Sequence, residues 1–372
     1  METSNAYARN LLHGVVRYVR EHTPWSLFLV EQSRGQTAPE WVANWRGDGI
    51  IARIENPQVA DAVLASGLPA VDLSAGRFAP SLPWVETDDV QIARMAFNHL
   101  ADRGFKAFAY GGDERFMWSR SRGVEFARLV QARGCRLHEL PPSAQVSDVA
   151  QQVDQLEQWV AGLPKPIGIF ACYDIRGQQL LDACRNLGVA VPEEVAVVGV
   201  DDDDLLCQLA FPPLSSVQPN ARHTGYTAAA LLDAMMNGAP REAVEIRVPP
   251  LGVTARQSTD ILAVSDTIVV RALRFIREHA CDPIAVTDVL ATVPVSRRVL
   301  EKRFEQAVGH SPHAEIVAVR MNRVKELLLE TDLSLEMIAA RTGFEHPEYL
   351  TVMFKREVGV PPGRFRKRAM SE

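Results

Sequence analysis

The chain has 372 residues, 47% hydrophobic and 23% charged, with a formal net charge of −6. That is too long for one ordinary domain, so two or three soluble domains are expected. No apolar run approaches the roughly 18 residues of a membrane span, METSNAYARN lacks a basic-then-apolar leader, and the five cysteines form no C-x-x-C pair, so a membrane, secreted or disulfide-framework protein is not expected and a cytoplasmic setting is.

Residues 6–22 repeat apolar positions at helical spacing: Leu11, Leu12, Val15, Val16 and Val19. WSLFLV (25–30), DGIIARI (48–54) and LPAVDL (68–73) read as strands. Residues 90–103 predict a helix, with Asp88 or Asp89 as N-cap. FKAFAYGG (105–112) is strand into turn, and 119–133 is helix. Strand 136–140, helix 147–161, strand 167–172, helix 176–187, strand 195–200 and helix 221–236 follow. The strands are short continuous apolar runs, which suits burial on both faces. The βα alternation therefore predicts parallel sheet covered by helices, in two lobes, with ligands at the carboxyl ends of the strands.

From residue 265 onward the sequence predicts only helices: 267–280, 286–292, 296–308, 312–330, 335–341 and 348–358. This part carries 17 Lys and Arg against 15 Asp and Glu, a net of +2, while the rest nets −8. Contact with nucleic acid is therefore permitted at the C-terminal end and disfavoured elsewhere. An offset of 50 residues superposes Leu300 on Leu350, Phe304 on Phe354, Val308 on Val358, Gly309 on Gly359 and Pro312 on Pro362. Each copy reads as a short helix, a turn and a longer helix. The longer helix is apolar at i, i+4 and i+8, with a polar first turn and a glycine C-cap. The apolar stripe holds such a helix on its domain, and its first turn is free to enter a major groove.

The run S-L-E-M-I-A-x-x-x-G-F-x-x-P-x-Y-L-x-x-x-F-K-x-x-x-G-x-x-P (334–362) resembles the second half of the AraC/XylS-family DNA-binding domain, and SRRVLEKRF (296–304) resembles its first half. By position, the resemblance implies Arg297, Arg298, Glu301 and Lys302 as one reading head and Glu345, His346, Glu348, Tyr349 and Thr351 as the other. Lys355, Arg356, Arg364, Arg366 and Lys367 are implied as phosphate contacts. ETDDVQIARMAFNHLADRGF (86–105), SRSRGVEFARLVQARG (119–134) and FACYDIRGQQLLDACRNLGVAVPEEVAVVGVDD (170–202) resemble the sugar-binding module of LacI/GalR regulators and periplasmic binding proteins. Joined in one chain, the two parts resemble the regulators of xylose operons.

The implied fold is a two-lobed α/β periplasmic-binding-protein-like sensor, with parallel sheets flanked by helices, followed by an all-α double helix-turn-helix domain. The expected boundaries are a sensor over 1–256, a linker over 257–264 and a DNA-binding domain over 265–369. The expected lobes are 1–103 with 218–242, and 104–217 with 243–256. The modules it resembles begin with a strand that should end where Met1 stands, so either the start lies further upstream, which is the expectation, or the first sheet lacks a strand.

A sugar site needs carboxylates to accept, a guanidinium to donate and an aromatic face for the C–H side. The candidates are Asp174 and Arg120 first, because the matching residues of the resembled modules contact ligand. Asp201, Tyr7 (expected in the first loop), Trp118, Asp88 and Arg122 follow, with Arg122 able to exchange roles with Arg120. Expected partners are double-stranded promoter DNA, a sugar effector (the resemblance favours D-xylose), a second copy of the chain and RNA polymerase. No membrane, cofactor or metal is expected. There is no G-x-S-x-G, G-x-x-x-x-G-K-[ST] or G-x-G-x-x-G for an enzyme. The alternative is a sugar-binding protein whose helical tail only mediates assembly.

Overall fold

An apolar run becomes a strand only where a neighbouring edge supplies partners for its backbone. In the computed structural model, which describes residues 3–22, 24–29, 42, 45–142, 149–260 and 266–369, ten strands meet that condition: β1 (Ile50–Ala52), β2 (Ala70–Asp72), β3 (Trp84–Thr87), β4 (Phe108–Gly111), β5 (Leu137–Glu139), β6 (Ile167–Ala171), β7 (Val195–Val200), β8 (Ser215–Gln218), β9 (Glu245–Val248) and β10 (Gly252–Thr254). They form a four-stranded sheet, β1-β2-β3-β9, and a six-stranded sheet, β10-β8-β7-β6-β4-β5. Every pairing is parallel except β10 with β8. The VAVVGV run of β7 lies inside the larger sheet and is buried throughout, as an unbroken apolar strand should be.

The helices of this first part are α1 (Ala6–Glu21), α2 (Pro57–Ala65), α3 (Asp89–Asp102), α4 (Met117–Ala132), α5 (Val149–Gly162), α6 (Asp174–Asn186), α7 (Asp204–Leu209) and α8 (Ala221–Met236). Helices α1 and α8 approach so closely that a Cβ at Gly14 would meet the Arg222 carbonyl, and one at Gly225 the Leu11 carbonyl. Asn5 caps α1, and Asp88 caps α3 by accepting from the Gln91 amide at 3.0 Å.

WSLFLV is not a strand over its described residues: 24–29 have no regular structure, and Leu27, Phe28 and Leu29 are about half exposed at 51%, 60% and 49%. No described strand pairs with them. The lobe boundaries also move. Helix α3 packs on α4 and on β7 of the larger sheet, so its residues belong with the second lobe, whereas β9 joins the first. The chain passes between the sheets after Thr87, after Gln218 and after Val248. Finally, residues 257–259 are not linker: they form a 3-10 turn in which Ser258 donates to the Val197 carbonyl at 2.6 Å, and Ser258 and Thr259 are fully buried. The chain divides after Asp260 into two units.

The second unit is built from α9 (Thr267–His279), α10 (Val286–Ala291), α11 (Arg297–Val308), α12 (Pro312–Glu330), α13 (Leu335–Arg341), α14 (Pro347–Val358) and α15 (Pro362–Ala369). It holds two cores. One gathers Leu273, Ile276, Val289, Leu300, Phe304 and Ile316, the other Met321, Leu328, Ile338, Leu350 and Phe354. Helix α12 serves both, its first half in one core and its second half in the other. Both longer helices of the repeat end as expected, on Gly309 at φ 85° and Gly359 at φ 81°, the left-handed conformation that glycine adopts without strain.

Candidate functional site

Parallel strands carry their following loops to one end of each sheet, and most of the sensor's unusual polar side chains lie there. After β4, the first turns of α4 present Trp118 and Arg122. Arg122 is buried, its Nε donates to Asp89 Oδ1 at 2.7 Å, and its Nη1 donates to the Cys172 carbonyl at 2.6 Å. Burial works against the charged guanidinium, but Asp89 and Asp201 more than offset it, so its pKa rises. The guanidinium lies 4.9 Å from the Trp118 ring centroid. Trp118 in turn stacks on Phe116 at 5.0 Å and meets the edge of Tyr173 at 5.5 Å. Asp201, after β7, has φ 115° without being glycine, a strained backbone of the kind found at working sites. The result is an aromatic wall beside a fixed fork of donors and a carboxylate.

Other candidates fall elsewhere. Arg120 is exposed and spends its Nε on the Glu114 carbonyl at 2.8 Å. Asp174 is 1% exposed and turned away into the protein: its carboxylate accepts from Ser216 Oγ at 2.6 Å and from the Asp203 amide at 2.8 Å, with Cys207 Sγ at 3.5 Å. It closes the loop after β7. Tyr7 is not in a loop but in the first turn of α1, buried, with its hydroxyl donating to Glu86 Oε1 at 2.8 Å and 2.7 Å from Thr87 Oγ1. Asp88 serves as a helix cap. The structure also brings forward Asp89, Tyr173, Arg53 and Glu86. All four lie inside quoted segments, and the first two are each one residue from a named candidate. Arg53 is 5.4 Å from the Tyr7 ring, and Glu86 is pushed up to about 8 by burial.

The Asp201 loop is wired to the end of the first unit. Asp202 accepts from Arg256 Nη1 and Thr254 Oγ1, both at 2.8 Å. The Arg256 amide donates to Ser215 Oγ at 2.7 Å, and that hydroxyl lies 2.6 Å from Thr259 Oγ1. Arg103 Nε donates to the Thr259 carbonyl at 2.6 Å, and His99 Nε2 sits 2.7 Å from Thr259 Oγ1.

In the second unit the first turns of α11 and α14 stand clear of the cores. Arg297, Arg298 and Lys302 are exposed, with Arg297 held to Glu301 at 2.8 Å. On α14 and just before it, Glu345, His346, Glu348 and Tyr349 are exposed, and Thr351 donates its hydroxyl proton to the Pro347 carbonyl at 2.9 Å. Val299 and Val352, 39% and 64% exposed on the same helices, were absent from the sequence candidates; an apolar side chain so placed suits a thymine methyl. Lys355, Arg356 and Arg364 are exposed. Arg366 is not free for phosphate: its guanidinium donates to the carbonyls of Leu328 at 3.2 Å and Leu333 at 2.7 Å, closing the C-terminal end of α12. The side chain of Lys367 lies outside the described residues.

Two exposed helix-turn-helix heads that follow a two-sheet sensor along the chain define a transcription regulator with an AraC-type DNA-binding domain. Family models agree along the chain: a XylR N-terminal domain matches residues 1–90, a periplasmic binding protein-like domain residues 97–259, and a helix-turn-helix domain residues 290–368. The xylose operon regulatory protein of Escherichia coli K12 is 33% identical over 98% of this chain and 94% of its own length. That of Haemophilus influenzae is 31% identical over 98% and 96%. A solved structure of the xylose-binding transcription activator xylR superposes with a TM-score of 0.84 at 31% identity, covering 98% of this chain and 96% of the other. The chain belongs to the xylose operon regulatory protein family.

Proposed function

We propose that this regulator binds a pentose, D-xylose, against Trp118 and Tyr173, with Arg122, Asp89 and Asp201 bonding its hydroxyls. The observation that carries the reading is the buried Arg122, fixed by Asp89 beneath an indole face. A fork of donors, two carboxylates and aromatic rings match the alternating faces of a sugar. The name shared by the two relatives supports xylose over other sugars. Sugar drawn onto Asp201 shifts Asp202, and Arg256 carries that shift to residues 256–259, the last described ones but Asp260 before the second unit.

The DNA-binding part reads promoter DNA with α11 and α14. Arg297, Arg298, Glu301, Lys302 and Val299 form one head, and Glu345, His346, Glu348, Tyr349, Thr351 and Val352 the other. Lys355, Arg356 and Arg364 neutralise phosphates. The protein acts in the cytoplasm as a homodimer, contacts RNA polymerase at the promoter and catalyses no reaction.

A thermal-shift screen tests the sugar. D-xylose at 100 times its Kd should stabilise the first unit by about 2.7 kcal/mol, whereas D-glucose and cellobiose should do far less. An equal shift with all of them, or with none, would sink the assignment.

A further inference from the structure

A rigid helix between two reading heads fixes their distance but not their rotation about it. B-DNA turns about 34–36° per base pair, so a small pivot of one head changes the spacing of the site that both can read. Ile316 is the last α12 residue buried in the first core, and Met321 is the first in the second. Arg320 lies between them. Its Nε donates to the Ala280 carbonyl at 2.6 Å, and its Nη2 donates to the Asp282 and Ile284 carbonyls at 2.9 and 3.3 Å. These carbonyls belong to the connection between α9 and α10, in the first head's half. The same guanidinium stands 5.8 Å from the ring of Phe344, in the turn between α13 and α14, in the second head's half. Gly343 of that turn, at φ 70°, comes so close that an added Cβ would lie 2.9 Å from Arg320 Nε and 3.0 Å from the Ala280 carbonyl. Left-handed backbone and lack of room both require glycine there.

We propose that Arg320 is a positioning residue for DNA recognition. It locks the turn of the second head to the helix connection of the first, so that the pair reads one composite site of fixed spacing. Arg320 touches no base or phosphate in this role. It spends three carbonyl bonds and a ring contact on the junction, and a lysine, with a single ammonium in place of the planar fork, could not reproduce that set. Without the lock each head still recognises its own motif, but the spacing between motifs is no longer selected. A misspaced duplex costs the intact protein the roughly 10²–10⁴-fold avidity that the second head supplies. It should cost an Arg320 variant far less.

The proposal rests on both heads reading DNA, and the test separates the two ideas. Full-length wild type, Arg320→Met, Arg320→Lys and Gly343→Ala are each used to select bound duplexes from a random-sequence pool, which are then sequenced, with folding followed by circular dichroism. Wild type should enrich two motifs at one spacing. Arg320→Met, Arg320→Lys and Gly343→Ala should keep both motifs and spread their spacing. A single unchanged spacing in the folded variants overturns the role of Arg320. If no variant folds, Arg320 serves stability instead, which overturns it equally. A wild-type selection with one motif only would sink the paired reading itself.

Discussion

Arg120 and Arg122 stand two positions apart on α4, which places them about 200° apart around the helix. One must therefore face out when the other faces in, and spacing alone does not say which. The structure buries Arg122 on Asp89 and leaves Arg120 in solvent. Arg120→Ala should therefore leave the D-xylose affinity within about twofold. Arg122→Met should weaken it by about tenfold or more, the cost of a lost charged hydrogen bond. Titration calorimetry checks both, and the reverse order would transfer the site to Arg120.

Burial also sets a pH dependence. Glu86 is pushed up to about 8 and Asp72 to about 6, each by burial first. A carboxyl raised above its unfolded value, about 4.3 for glutamate and about 3.9 for aspartate, contributes stability that is fully present below that value and is lost as pH rises through the folded value. His99 runs the other way. Burial first, then Arg103, holds it down to about 4, so its contribution is lost as pH falls from about 6.5 towards 4. Calorimetric melting of the first unit should therefore fall between about pH 6.5 and 8, where Glu86 alone of the three still titrates, and level off above that, by about 2–4 °C per kcal/mol. Glu86→Gln should flatten that alkaline limb; an equally steep limb would remove Glu86 as its cause.

At the scale of elements, the second unit was the more legible. Its helices carry local signals: a 3.6-residue stripe, glycine caps and a 50-residue repeat, and Phe304 and Phe354 are each fully buried in their own core. Either Phe→Ala change should cost about 3–5 kcal/mol, measured by urea denaturation. A cost below about 1 kcal/mol would contradict the assigned cores. Lys355→Ala should lower the log–log salt slope of DNA binding by about 0.9; an unchanged slope would mean that Lys355 meets no phosphate.

The sheet was less legible, because pairing is decided at long range. Among the described residues, 25–29 of the apolar WSLFLV pair with no strand, while the polar WVET of β3 is buried through all four residues. Its Glu86 and Thr87 are bonded by Tyr7, 79 and 80 residues earlier. No local pattern announces that bond, which is also why Tyr7 read as a loop residue. The turn of Asp174 onto Ser216 likewise depends on a strand 42 positions away.

At the scale of the whole molecule, sugar and DNA must act on one equilibrium. A sugar that binds both states equally shifts nothing, so the account requires a coupling free energy, and that coupling is reciprocal. Arg256 belongs to this scale, because it joins the Asp201–Asp202 loop to the residues that lead out of the first unit. Arg256→Met should leave sugar affinity largely intact and cut the sugar response of DNA binding. A full response in that variant would route the signal elsewhere.

The most direct test of the account is a fluorescence-anisotropy titration of full-length protein against a two-motif duplex enriched from the random pool, with and without saturating D-xylose. The account predicts Kd values that differ by at least about fivefold, the lower end of allosteric coupling. Superimposable curves, from a protein that calorimetry shows to have bound the sugar, would contradict it.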